Sequence, residues 1–382
     1  MRRILEICRE ELKRIFSDPG SVLLLFVAIF LYSFFYPMPY ERNVMKKIPI
    51  ALLDLDNTSL SRQLDRMVDS TEEVDVTRRP RNFEEAQKLF YSREVYGLIV
   101  IPEGFSRKIN RQIQATISLY SDASYFLINR QVRGGVARAV GTLSAGVEIK
   151  HLEATGMNFH TAAVVRSPIQ LVSTALGNPA GSYTAYVVPA VFVLILQQTL
   201  LAGICMLAGA PSKLMRRSTD GVIEIVIGKT FSYILLYLVY SCYYFIIVPR
   251  IYGFRQVGDP LILLIFIIPF LLSVIFLALG LASFSPDREV PMMMVVFSSL
   301  ICVFLSGFSW PQDAFPSWVR IISWIVPSTA GINGILRINQ MGAGLSDVIG
   351  EWLVLCGLVC VFFPFACWGE TRLRRRLPFS QT

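Results

Sequence analysis

Residues Gly20–Tyr36 read GSVLLLFVAIFLYSFFY, an apolar run without a charge, and the next run of that kind opens only at Tyr183. A helix rises about 1.5 Å per residue, so roughly 17–25 apolar residues cross the hydrocarbon of a bilayer. Residues 20–36 meet that length, as do 183–207, 230–251, 261–284, 292–308 and the run inside 351–369. Nothing in 37–182 does. This pattern predicts six transmembrane helices with one large polar insert between the first and the second.

Composition agrees with that reading. The chain is 53% hydrophobic and 17% charged, whereas a soluble domain carries about 25% charged residues. A net charge of +8 raises nucleic acid as a partner, but outside 37–182, which holds many Lys and Arg of its own, the basic residues gather at span ends. Arg2, Arg3, Arg9, Lys13 and Arg14 precede the first span, and Lys213, Arg216, Arg217 and Lys229 sit between the second and third. Arg372, Arg374, Arg375 and Arg376 follow the sixth, in a basic tail, 370–382. Positive-inside bias therefore puts both termini and 208–229 in the cytoplasm, and 37–182 outside, since long inserts translocate regardless of their charge. The basic ends read as topology signals and contacts with anionic lipid, with no nucleic acid involved. None of the seven cysteines falls in 37–182, so the insert must rest on its own core.

Residues 1–19 form an amphipathic interfacial helix, with Ile4, Leu5, Cys8, Leu12 and Ile15 at helical spacing and a break at Ser17-Asp18-Pro19-Gly20. Within the insert, strand patterns at 48–55, 73–77, 95–101 and 116–121 alternate with helical patterns at 59–68, 82–91, 105–111 and 123–152, which predicts an α/β domain. After the fifth span, 309–350 holds a proline- and tryptophan-rich stretch whose apolar part, Trp318–Val326, is too short to span. Two readings fit it: a re-entrant hairpin that lines a cavity, or a plain interfacial loop.

Three motifs invite catalysis or nucleotide binding. Asp54-Leu55-Asp56-Asn57-Thr58 matches the D-x-D-x-T of phosphotransferases that use the first Asp as nucleophile. The downstream Lys and acidic pair of such a site are missing, and the same residues serve as turn and helix cap. Gly228-Lys229-Thr230 has the end of a phosphate-binding loop, but Ile223 stands where its first Gly is required. His151 and His160 have no partner ligands at metal spacing. The spans hold almost no charge, with Gln197 and Gln198 their most polar residues, which argues against ion-coupled transport.

Several stretches combine into one resemblance. They are Phe16-Ser17-Asp18-Pro19, then 48–59 (IPIALLDLDNTS), 99–106 (IVIPEGFS) and Gly177-Asn178-Pro179. The most specific are 305–311 (LSGFSWP), Phe315-Pro316 and Val326-Pro327. Over nearly its whole length the chain resembles ABC-2 type transporter permeases, of the drug-exporter kind with a large external domain between the first two spans. The resemblance implies a membrane α-helical fold with an external re-entrant hairpin, gated by Gly307, Phe308, Trp310, Pro311, Pro316 and Pro327. It implies a permease of the inner membrane that exports lipophilic or drug-like compounds, as a homodimer or beside a second permease. ATP and Mg would be bound by a separate ABC ATPase subunit, and this chain would hold no cofactor, metal or catalytic residue. The ATPase would dock on 208–229, where Gly221-Val222-Ile223-Glu224 and Gly228-Lys229 resemble family elements and Arg216-Arg217 lie upstream. Fewer residues than usual separate Glu224 from Gly228-Lys229. The family also allows a periplasmic adaptor and an outer-membrane channel. The competing readings are a membrane-anchored scaffold or receptor acting through its external domain, and a phosphatase using Asp54 and Asp56.

Overall fold

The computed structural model describes residues 1–38, 46–167, 183–208, 221–254, 256–284 and 289–376. The chain forms two compact units, one of residues 44–173 and one of residues 1–43 with 174–382. Helix α1 (Arg2–Ser17) buries Ile7, Cys8, Glu11 and Ile15 on one face. It stops at Asp18, whose carboxylate accepts the backbone N–H of Ser21 at 3.0 Å and so caps the next helix, with Pro19 at its first position. That helix, α2 (Pro19–Phe35), turns away by 87° and carries a π-helical turn at Leu23–Val27.

In the 44–173 unit, four strands lie in the order β2-β1-β3-β4. They are β1 (Ile48–Asp54), β2 (Val74–Arg78), β3 (Gly97–Ile101) and β4 (Ser118–Ser121). β1 runs parallel to β2 and β3, and β4 closes the edge antiparallel. Parallel neighbours need crossover helices, and α3 (Ser59–Asp69) and α4 (Phe83–Tyr91) supply them. On one sheet face, Ile50, Leu52, Ile99 and Ile101 meet Leu64 and Val68 of α3 and Val132 and Val136 of the long helix α6 (Phe126–Ala154). On the other, Ala51, Leu53 and Leu98 meet Ala86 of α4. The central strand is covered on both faces, so it reads as an apolar run rather than an alternation. Short helices α5 (Phe105–Asn110) and α7 (Phe159–Arg166) complete the unit, and α7 has no counterpart in the sequence reading.

The turn after β1 is built from the D-x-D-x-T residues. Asp54 accepts the N–H groups of Asp56 and Asn57 and the Ser61 hydroxyl. Asp56 Oδ2 accepts the Thr58 hydroxyl at 2.7 Å, and the N–H and hydroxyl of Ser106 at 3.1 and 2.6 Å. Thr58 also caps α3.

The remaining helices share the unit with α1 and α2. α8 (Tyr183–Ala208) is apolar on every side, and 89% of its most apolar window is buried, which makes it the central helix of the bundle. α9 (Val222–Ile251) begins before the apolar run at 230, and a π-helical turn at Tyr243–Ile247 aims Tyr243 and Tyr244 at α2. Their hydroxyls lie 2.8 Å from Ser33 Oγ and 2.7 Å from the Ile29 carbonyl. α10 (Pro260–Leu281) packs on α14 (Ile349–Arg376), where Gly369 lies against the backbone of Leu279 and Gly280. α14 continues as helix into the expected basic tail as far as Arg376, and its apolar stretch is mostly unburied. α11 (Glu289–Leu305) is shorter. The expected hairpin region holds a second bent pair, α12 (Ser317–Ser323) and α13 (Pro327–Met341), at 84°. Instead of an outer loop, α13 is a buried helix with Ile332, Ile335 and Ile338 in the core. Its Gly, Ser, Thr and Asn residues hid this from a search for apolar runs. Among the described residues, four helices are thus long and apolar enough to cross a membrane, and six if each bent pair is one span.

Burial pushes the Asp56 carboxyl up, but its hydrogen bonds from Ser106 and Thr58 outweigh that and hold it below the usual range. A depressed carboxyl stabilises the fold at pH above its unfolded value, and that contribution is lost as pH falls through the folded one. Asp56→Asn should therefore cost about 1–3 kcal/mol near neutral pH and little in strong acid. Hydrogen exchange of the β1 amides across that pH range reads the difference, and a pH-independent loss would contradict it.

Candidate functional site

The two ends of the helical unit carry the residues singled out in the sequence. At the end where α1, the start of α9 and the end of α14 meet, charge is buried. Glu11 of α1 accepts the Tyr233 hydroxyl at 2.9 Å and Arg14 Nη1 at 2.8 Å. Arg14 Nη2 donates to the Leu207 carbonyl at 2.8 Å, capping the last turn of α8. Burial would raise the Glu11 carboxyl, yet Arg14, the nearby Lys229 and the Tyr233 hydroxyl together hold it below its ordinary value. Lys229 is itself 4% exposed and donates to Glu370 of α14 at 2.7 Å, with Arg374 closing on the same carboxylate at 4.0 Å.

This geometry sorts the expected docking residues. Arg216 and Arg217 lie outside the described residues, as does most of 208–220. Gly221 is the exposed cap of α9, and Glu224 is exposed in its first turn, where the helix dipole favours a carboxylate. Gly228 and Lys229 face inward. A Cβ on Gly228 would stand 2.6 Å from Ile7 Cγ2, so only glycine lets α1 lie this close. The Ser232 hydroxyl closes the seam on the Cys8 carbonyl at 3.0 Å. Sequence reading missed Glu11 and Glu370 because each sat outside an apolar run. Their signal was a carboxylate at a helical position that otherwise carries the apolar face.

At the other end, Gly307 takes a left-handed φ of 83° that turns the chain out of α11. The Phe308 carbonyl accepts the Tyr186 hydroxyl at 2.7 Å. Pro311 opens a short 3-10 turn, Pro316 caps α12, and Pro327 starts α13. Trp310 is exposed. Gly307, Phe308 and Gln312 line a cavity of about 410 Å³ with Arg337 and Glu351, which pair at 2.9 Å.

Between the ends, α8 carries the two glutamines. Gln197 accepts the N–H of Ser328 at 2.8 Å and so satisfies a free donor at the start of α13. The Gln198 amide is buried beside the Cys302 thiol of α11. It lines a groove of about 360 Å³ between α2 and α11, with Tyr32, Thr199, Val295 and Ser299. On the other side of Val295, a cavity of about 320 Å³ runs past Ser298 and Cys302 to Pro327. The outer face of α11 is apolar and exposed at Met293, Phe297, Leu300, Ile301 and Phe304.

The phosphatase reading finds no such support. Both oxygens of Asp54 accept hydrogen bonds within the turn that joins β1 to α3, and Asp56 Oδ2 accepts from Thr58 and from Ser106 of α5, which is a turn-and-cap role.

Removing one partner of a buried ion pair strands the other charge, at a cost of about 3–5 kcal/mol, whereas replacing both with apolar groups is close to neutral. Lys229→Met alone should therefore lower the thermal stability of the detergent-solubilised chain sharply. Lys229→Met with Glu370→Met should recover most of it. Additive losses in the double variant would dissolve the pair as an energetic unit.

Comparison with known proteins follows the same outline. Residues 20–368 match the model of a family described as ABC-2 family transporter protein. The chain is similar to the linearmycin resistance permease protein LnrN of Bacillus subtilis (strain 168), 23% identical over 385 residues that cover 95% of this chain and 96% of the relative. With a family match running from the first span to the end of the last, this multi-pass chain belongs to the ABC-2 family of transporter proteins.

Proposed function

We propose that this permease is the membrane subunit of an exporter driven by a separate ABC ATPase, moving a lipophilic or drug-like compound outward across the cell (inner) membrane. One observation carries the reading. Two neighbouring buried charge clusters tie α9 to its partners, Glu11 to α1 through Tyr233 and Lys229 to α14 through Glu370, while Glu224 stands exposed in the first turn of α9. A force applied to that end is shared by two spans rather than absorbed by one. The printed name of the relative, a resistance permease, supports export of a toxic compound.

In this reading both termini face the cytoplasm, and the ATPase docks around Glu224 and the segment carrying Arg216 and Arg217. ATP and Mg stay on that partner. The exposed apolar face of α11 meets a second permease, identical or related, so that the Gln198 groove opens onto a shared path. A buried amide whose neighbour is only a weakly bonding thiol suits a cargo that brings its own donor or acceptor. The stretch Gly307–Pro327 closes the outer end. The 44–173 unit lies outside, positioned to meet a periplasmic adaptor and, through it, an outer-membrane channel.

The test is purification from native membranes followed by mass spectrometry and ATPase assay. A stoichiometric soluble protein with a phosphate-binding loop should co-purify, and Glu224→Lys should reduce the stimulation of its ATPase by roughly tenfold, equivalent to about 1.4 kcal/mol of coupling. An intact chain with no nucleotide-binding partner would set the exporter aside.

A further inference from the structure

The long helix of the α/β unit outruns the sheet it covers. Along α6 the buried apolar positions Ile128, Val132, Val136, Ala139 and Leu143 recur every three or four residues. The same stripe continues through Val147 to His151, and there no strand lies beneath it. In place of the sheet is a groove of about 570 Å³. Its far wall comes from α5 and the strand-like stretch after it, through Phe105, Ile109, Ile113 and Ile117. Gln112 sets that wall in place. Its left-handed φ of 59° ends α5 and lets Ile113 N–H bond back to the Lys108 carbonyl at 2.9 Å, so the chain crosses in front of α6. Ile113 is 54% exposed, a cost that a free surface gives no return for.

The groove has the size and make-up of a small-molecule site, which is mostly apolar with a few convergent polar groups. Those groups are Ser144, Glu148 and His151 at one end, with Gln112 and Gln114 across from them. Among the lining residues Glu148 is the only carboxylate, and none is Lys or Arg. Arg166 approaches Glu148 at 3.6 Å from α7. An anionic head would meet a like charge here, whereas a hydroxyl, amide or amine finds acceptors.

We infer that this groove is a binding site for an elongated amphiphile, uncharged or cationic, whose apolar chain lies on Phe105, Ile109, Ile113 and Val147 and whose hydroxyl or amine head sits between Ser144, Glu148 and His151. The inference concerns binding by the α/β unit alone, so it stands apart from the export reading.

The test uses the full chain in lipid nanodiscs, with a diazirine-bearing long-chain amine and the matching long-chain acid as probes, and the labelled peptides located by mass spectrometry. The amine should label 105–117 and 140–152 saturably, and more than the acid. Ile113→Arg, at an exposed position, should weaken that labelling about tenfold, or about 1.4 kcal/mol, with the thermal transition unchanged. Glu148→Gln should erase the preference for the amine. Labelling confined to the apolar helices, or equal in the Ile113→Arg protein, would overturn the site. Acid labelling as strong as amine labelling would overturn the ligand class. A co-purified polypeptide that cross-links through a photoreactive residue at 113 and excludes the amine would make the groove a protein seam instead.

Discussion

Two carboxylates sit where water does not reach, Glu11 at 2% and Glu370 at 3% exposure, and the helical unit is arranged around the need to neutralise them. A buried charge is tolerated only when paired and hydrogen-bonded. Glu11 takes Arg14 from its own helix and Tyr233 from α9, and Glu370 takes Lys229 from α9 and Arg374 from its own helix. Both pairings therefore run through the first turns of α9. Gly228, one residue before Lys229, is where α1 lies against α9. Any side chain there would lift α1 and expose Glu11 to the loss of its partners.

Rigid pairing at one end has a consequence along the bundle. α9 reaches from the charged seam to its π-helical turn, where Tyr243 and Tyr244 grip α2, and in between the Tyr237 hydroxyl donates to Thr199 of α8 at 3.0 Å. α2 and α8 are the same helices that wall the Gln198 groove. Polar contacts inside an apolar bundle are few and directional, so they fix rotation where packing alone would allow slippage. α11 is different. It leans on α8, leaves one face bare, and borders a cavity on each side at Val295.

Length and hydropathy made the membrane class legible, because an uncharged run such as Leu261–Phe284 has no soluble explanation. The α/β insert was legible too, since 48–53 is continuously apolar and flanked by cap residues. What escaped was every feature in which a polar residue is buried. α13 carries Ser328, Thr329 and Asn339 into the core, and no apolar count finds it. Glu370 and Arg374 looked like a solvated tail, although α14 continues unbroken beneath them. Gly228-Lys229 reads as part of a docking segment through its resemblance to a family element, and nothing within that segment announces that the Lys229 ammonium meets Glu370. Burial of a polar group depends on a partner distant in sequence, and pattern within one segment cannot supply that partner.

The contrast between the two units follows from the same point. In 44–173 the polar groups near the sheet are satisfied locally: Asp54 and Asp56 by residues 56–61 and by Ser106, and Asn82 by the N–H of Glu85. Such a unit carries its tertiary information in nearby residues. In the helical unit the decisive pairs are distant in sequence, Tyr233 and Glu11 by 222 residues and Lys229 and Glu370 by 141. Those pairs form only when the first helix, the third long helix and the last are already together. A bundle whose first and last helices are both tied to α9 by buried charge responds to a disturbance at that end as a body.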